Sequence, residues 1–205
     1  MKTSLFLVFI GGAIALSGSL LRAQQGAAQG GVETQPASVA GADIAEQEVR
    51  CGTARSLYEQ GVVSYTEVLA EDARLIEEKY AAGALDKAEM VSRLQKIYGE
   101  QLSLAQARGS KEDALVFQIR LHELSPGQSK QEVLLACYRQ LADYKKDKYE
   151  HGVGAYDEVL LAEIDYLRAS LPGLAPEQVA KTEEEIRQKQ DLLKRLHDER
   201  AEALR

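Results

Sequence analysis

Chemistry needs titratable or nucleophilic side chains at spacings that bring them together, and this 205-residue chain offers few. Its three histidines, His122, His151 and His197, lie far apart and show no metal-ligand spacing such as H-E-x-x-H, so each reads as a surface residue. The cysteines, Cys51 and Cys137, form no C-x-x-C pair, and Gly61, Gly83 and Gly152 are isolated rather than grouped into a phosphate-cradling loop. Glu67, Glu89 and Glu158 carry ligand-type oxygens, but each falls where a helix begins, and capping together with the helix dipole explains an acid there. The sequence therefore predicts a non-enzymatic protein with no catalytic residue, no metal site and no cofactor.

Two further groups of residues have alternative readings. Cys51 and Cys137 could form a disulfide in an oxidising compartment. They lie ten and fifteen residues before Gly61 and Gly152. With those glycines side by side, the thiols would differ by about 7 Å along parallel helices at ~1.5 Å per residue, at the edge of what a disulfide spans. Two separate buried thiols are the plainer reading. Tyr58, Tyr80 and Tyr149 each precede a glycine by three positions. They are either aromatic covers for a turn, with the hydroxyl in water, or contact residues for a partner.

The elements that position these residues follow from a phrase that recurs. Tyr58–Leu69 matches Tyr149–Leu160 at eight of twelve positions when shifted by 91, and a fainter copy keeps Tyr80, Gly83 and Glu89. Its physical content is a helix, a glycine break and a new helix. Gly61 can take the left-handed conformation that ends a helix, Ser64 and Glu67 form a capping box, and Val63 with Val68 has the spacing of a hydrophobic staple. Gly83, Asp86, Glu89, Leu85 and Met90 repeat that chemistry with other residues. At Gly152 the cap and staple positions hold Ala155 and Gly154, which predicts a looser turn.

Along the chain, Lys2 and the apolar run Leu5–Leu21, ending at Leu21-Arg22-Ala23, read as a signal peptide over 1–23. Residues 24–42, rich in Gly, Ala, Gln and Ser, read as a flexible linker. A first helical-hairpin repeat is expected over 43–124, opening with a helix that carries Ile44, Val49 and Leu57. Breaks follow at Gly83 and at Arg108-Gly109-Ser110, where Ser110 with Asp113 can cap. After Ser125-Pro126-Gly127-Gln128-Ser129, a second repeat over 129–205 starts with a Ser129/Glu132 box and ends in a charged helix opened by Pro176. That last helix carries a narrow stripe from Ile186 to Leu204. No stretch alternates with period two, so the fold class is all-α: antiparallel hairpins in a coiled-coil-like bundle with an internal duplication. The net charge of -7 disfavours nucleic acid as a partner, and nothing after the signal segment is apolar enough for a transmembrane helix.

The pattern Y-x-x-G-x-x-x-x-x-E-V-L at Tyr58–Leu69 and Tyr149–Leu160 resembles the helix-turn-helix motif of TolC-type outer-membrane efflux proteins, over roughly residues 44–171. In that family the motif occurs once in each half of a duplicated chain, and its turns form the hairpin tips that meet partner proteins. The family also carries membrane-spanning β-strands, which this sequence lacks. The resemblance implies an exported hairpin protein, periplasmic or associated with the outer membrane, that acts through protein partners in the envelope or through self-association. The alternative is a component of an outer-membrane efflux or transport channel. The residues implied in contact or turn formation are Tyr58, Gly61, Val62, Tyr65, Gly83, Tyr149, Gly152, Val153 and Tyr156.

Overall fold

The computed structural model describes residues 37–125 and 128–203, without the side chains of 37–42 and 128–130. The signal peptide, most of the linker, the Ser129 side chain and Leu204 lie outside the described residues; the backbone of Ser129, expected as a cap, already belongs to a helix that starts at Gln128. From Gly41 on, the helices below belong to the compact unit Gly41–Arg205. They are α1 (Ala37–Glu59), α2 (Tyr65–Ala81), α3 (Lys87–Ala107), α4 (Lys111–Glu123), α5 (Gln128–Glu150), α6 (Tyr156–Ser170) and α7 (Pro176–Ala203), with a 3₁₀ turn at Leu171–Gly173. Among the described residues there is no strand, and no helix is long and apolar enough to cross a membrane. The fold is all-α, a bundle of antiparallel hairpins.

Four of the connections between successive helices are built alike. Gly61, Gly83, Gly109 and Gly152 have φ between 70 and 73°. In each, the glycine N–H donates to the carbonyl three residues back, and the next N–H to the carbonyl five back. At Gly61 the acceptors are Tyr58 and Leu57, both at 2.9 Å, and at Gly152 they are Tyr149 and Lys148, both at 2.9 Å. This Schellman pattern satisfies carbonyls that the helix end leaves open, and only glycine adopts the conformation without strain. The Gly152 turn is thus not looser, against the sequence expectation. The Ala155 cap position makes no side-chain bond, as expected, but the α5 side of the turn is closed more fully: the Gly154 N–H adds a second bond to the Lys148 carbonyl at 3.2 Å, and a Cβ there would sit 3.3 Å from the Lys148 Cβ.

Helix starts are fixed by side chains. The complete box forms at Ser64, whose hydroxyl accepts from the Glu67 N–H while the Glu67 carboxylate accepts from the Ser64 N–H at 2.6 Å. Asp86 and Ser110 cap α3 and α4 by accepting from the N–H groups of Glu89 and Asp113. Glu89 bonds Arg93. α1 begins at Ala37, six residues before the expected Asp43, since an alanine-rich approach suits a helix and the linker therefore ends earlier. Its inward stripe is Gln47 and Cys51, both 3% exposed, and Val49 faces solvent.

The core is densest where α2, α3 and the end of α4 meet, at Ala73, Ile76, Met90, Leu94, Tyr98 and Leu124. Farther along, Val159, Leu160, Ala162 and Ile164 bury one face of α6. Leu94 and Leu160 are fully enclosed, each worth roughly 1.5–3 kcal/mol in transfer from water. On α7, Ile186 is the buried residue and the rest of the expected stripe is partly open.

Candidate partner-contact surface at the helix turns

The seventeen residues of α2 separate the Gly61 and Gly83 turns by about 25 Å at ~1.5 Å per residue, so the two lie at opposite ends of the bundle. Gly61, Gly109 and Gly152 share one end. Tyr65 at the start of α2 donates its hydroxyl to Glu100 on α3 at 3.2 Å, and Arg108 beside Gly109 donates to Thr66 Oγ1 at 3.1 Å. On the other side of Gly109, Glu112 accepts from Lys145 and Lys148 near the end of α5, and Lys145 also donates to Glu158 on α6 at 2.8 Å. Lys111 stands 5.3 Å from the ring centroid of Tyr144. Of the sequence-assigned residues, Gly83 is the one placed away from the others.

Across the first turn, Tyr58 and Tyr65 pack tilted with centroids 5.5 Å apart; across the last, Tyr149 and Tyr156 do so at 5.2 Å. Such offset aromatic pairs are favourable beyond their area and hold both rings in place. All four rings stay exposed, and Val62 and Val153 at the tips are 66% and 74% exposed. Each turn therefore presents a rigid aromatic pair topped by an aliphatic side chain. The rings cover the turn, as the structural reading of the tyrosines expects, and they remain exposed. Tyr80, exposed at the Gly83 turn, lies at the far end without a second tyrosine beside that turn.

Electrostatics at this end distinguish the turns. The Glu100 carboxylate, by accepting from Tyr65, pushes that phenol above its ordinary pKa. His151, on the Gly152 turn, is pushed up by its bond to the Asp147 carbonyl and by the Asp147 charge. Glu112 is held below the usual carboxylate range: burial acts against this, and the bonds from Lys145 and Lys148 outweigh it. Sequence reasoning treated Gly109 only as an interruption and missed that it brings these charges to the same end as the tyrosine pairs.

Cys51 and Cys137 are separate buried thiols, and the disulfide alternative is corrected. Cys51 packs on α2, where its thiol donates to the Glu71 carbonyl at 3.3 Å; Cys137 faces Gln118 of α4 at 4.0 Å. The two residues serve different helix pairs, so the side-by-side alignment assumed for their helices does not hold. Burial, aided by Asp72, raises Cys51 to about 11, so its thiol stays protonated and unreactive near neutral pH. Among the described residues no group of three or more His, Cys, Asp or Glu side chains could hold a metal ion. Compared with models of protein families, with curated proteins and with solved structures, the chain matches none of them.

Proposed function

We propose that this is an exported, non-enzymatic helical-hairpin protein that works through protein contacts in the cell envelope, made by the end of the bundle that carries Gly61 and Gly152. The observation that supports this most is the two exposed, tilted tyrosine couples with an exposed valine at each tip, all at one end. Aromatic side chains fixed in place lose little entropy on binding and bury much area, which is why they anchor interfaces. The resemblance of these same residues to TolC-type hairpin tips points the same way. An internal duplication is part of the proposal. At the shift of 91, Cys51 and Ala142, Val68 and Val159, Leu69 and Leu160, and Ala73 and Ile164 are all buried, so the two hairpins share a burial pattern as well as a turn.

The test is site-specific photo-crosslinking in the envelope of the producing cell, with the reactive group at Tyr58 or Tyr149, and at the exposed Val49 or Val133 for comparison. The proposal expects discrete adducts, to an envelope protein or to a second copy, from the two tyrosine positions and none from the valines. Equal labelling at all four positions, or none, would overturn it. Washing the membrane fraction with about 4 M urea tests the channel alternative, since a membrane-embedded channel component stays with the outer membrane while a protein held by apolar contacts at its tips is released.

A further inference from the structure

The middle of the bundle holds a belt of polar groups that the tip surface does not use. Glu77 on α2 accepts from the Tyr98 hydroxyl on α3 at 3.2 Å. Glu123 on α4 accepts from the Tyr138 hydroxyl on α5 at 2.5 Å and from Arg120 on its own helix at 3.4 Å. Asp165 on α6 lies within electrostatic reach of Tyr138, Glu123 and Arg120, and Arg168 is 3.9 Å away. Five successive helices thus place three carboxylates and two phenols around Arg120. Arg74 and Arg168 stand at the edges, Arg74 paired with Glu71 at 2.9 Å.

We propose that this belt is a proton-sensitive joint: it takes up a proton on Glu77 or Asp165 as the pH falls below neutral, and α2 to α6 then hold one another more firmly than at neutral pH. The geometry supplies the reason. Arg120 already serves Glu123, and Arg168 reaches Asp165 only at 3.9 Å, while partial burial penalises the charged forms of both carboxyls. The groups facing Glu77 are Tyr98 from α3, Arg120 and Glu123 from α4, and Arg74 from α2; those facing Asp165 are Arg120 and Glu123 from α4, Tyr138 from α5 and Arg168 from α6. Burial pushes both carboxyls above their ordinary values and the Glu123 charge adds to this; the Tyr98 hydroxyl bonded to Glu77 opposes it first there, and the arginines oppose it at both, without cancelling it. A carboxyl whose folded pKa exceeds its unfolded one binds more protons folded than unfolded. Its contribution therefore grows as the pH drops towards the ordinary carboxylate range of ~4 and is lost as the pH rises through the folded value.

Thermal melts of the full chain from about pH 7.5 to about pH 5, with Glu77→Gln/Asp165→Asn beside the parent, test this. The expected result is a parent midpoint that rises by at least ~2 °C on acidification and a smaller rise in the double variant. His151 titrates in the same direction but is retained in both proteins, so the difference between their profiles belongs to the belt. Parallel profiles, or a parent that loses stability over this interval, would overturn the proposal. Should the double variant fail to fold, the side-chain carboxyl ¹³C resonances of the parent decide: Glu77 or Asp165 must titrate above ordinary carboxyls, and ordinary midpoints for both refute the joint.

Discussion

At the scale of single residues, the turns reduce to whether a position needs glycine. Gly61 has φ +72° and open space around a hypothetical Cβ, so a side chain there meets no clash and is opposed by backbone strain alone. Gly61→Val should cost at least ~1 kcal/mol, because a β-branched residue is poorly tolerated in the left-handed region. Gly52 has equally open surroundings but sits within α1. Gly52→Ala should therefore stabilise by roughly 0.5–1 kcal/mol through the lower backbone entropy of the unfolded chain. Urea unfolding of the two variants must give midpoints on opposite sides of the parent. If both move the same way, local volume and not backbone conformation governs these glycines. This distinction was legible in the sequence at Gly61 and Gly83, where the caps Ser64 and Asp86 follow three positions on, and at Gly152 through the recurring Tyr-x-x-Gly phrase.

At the scale of helices, what the sequence revealed and what it hid divide along one physical line. Elements that depend on neighbours within a turn or two were readable: α2 spans Tyr65–Ala81 as its cap and stripe predict, and Pro176 opens α7. Contacts between helices were not readable, because spacing along one helix does not reveal which face meets the next. α1 turns Gln47 inward, where its amide donates to the Glu71 carbonyl and carboxylate, and so leaves Val49 outside. Glu158 is a second case. Its counterpart Glu67 closes a capping box, but at the last turn Ala155 offers no hydroxyl and Glu158 instead accepts from Lys145. That lysine joins α4, α5 and α6 through Glu112 and Glu158, with its side chain only 13% exposed. Lys145→Met should cost about 1–2 kcal/mol at neutral pH, a value reduced from that of a fully buried pair because both carboxylates remain partly in water. Glu112 has a lowered folded pKa, so its contribution is present above its unfolded value and lost as the pH falls through the folded one. The gap between parent and variant should accordingly close in acid, below about pH 4, when followed by chemical denaturation. A gap that persists there would assign the loss to packing of the lysine stem.

For the whole molecule, the way the helices are joined sets where stability lies. From α2 onward each helix packs on its sequence neighbours, so α3 and α4 are held on two sides while α7, at the end of the series, packs on α6. Burial follows that order: Met90, Leu94, Tyr98, Gln101 and Ala105 are enclosed on α3, against Ile186 on the much longer α7. What ties α7 down is largely ionic, with Lys189 on Glu163 at 2.7 Å and Arg200 on Asp157 at 3.1 Å, and the Arg200 side chain is mostly in water. Ion pairs exposed to solvent contribute little and weaken with salt, whereas apolar burial does not. Local opening should therefore begin at α7 and leave the α2–α3–α4 core intact. Native-state hydrogen exchange is expected to show α7 amides exchanging first, faster still in ~0.5 M salt, with α3 protected to the level of global unfolding. Because α7 packs on α6, whose first turn carries Tyr156, its opening would free one side of the hairpin that bears the second tyrosine pair and leave the Tyr58 and Tyr65 pair undisturbed. Uniform protection across α3 and α7 would mean that the bundle opens as a single unit, and that the two tips cannot be loosened independently.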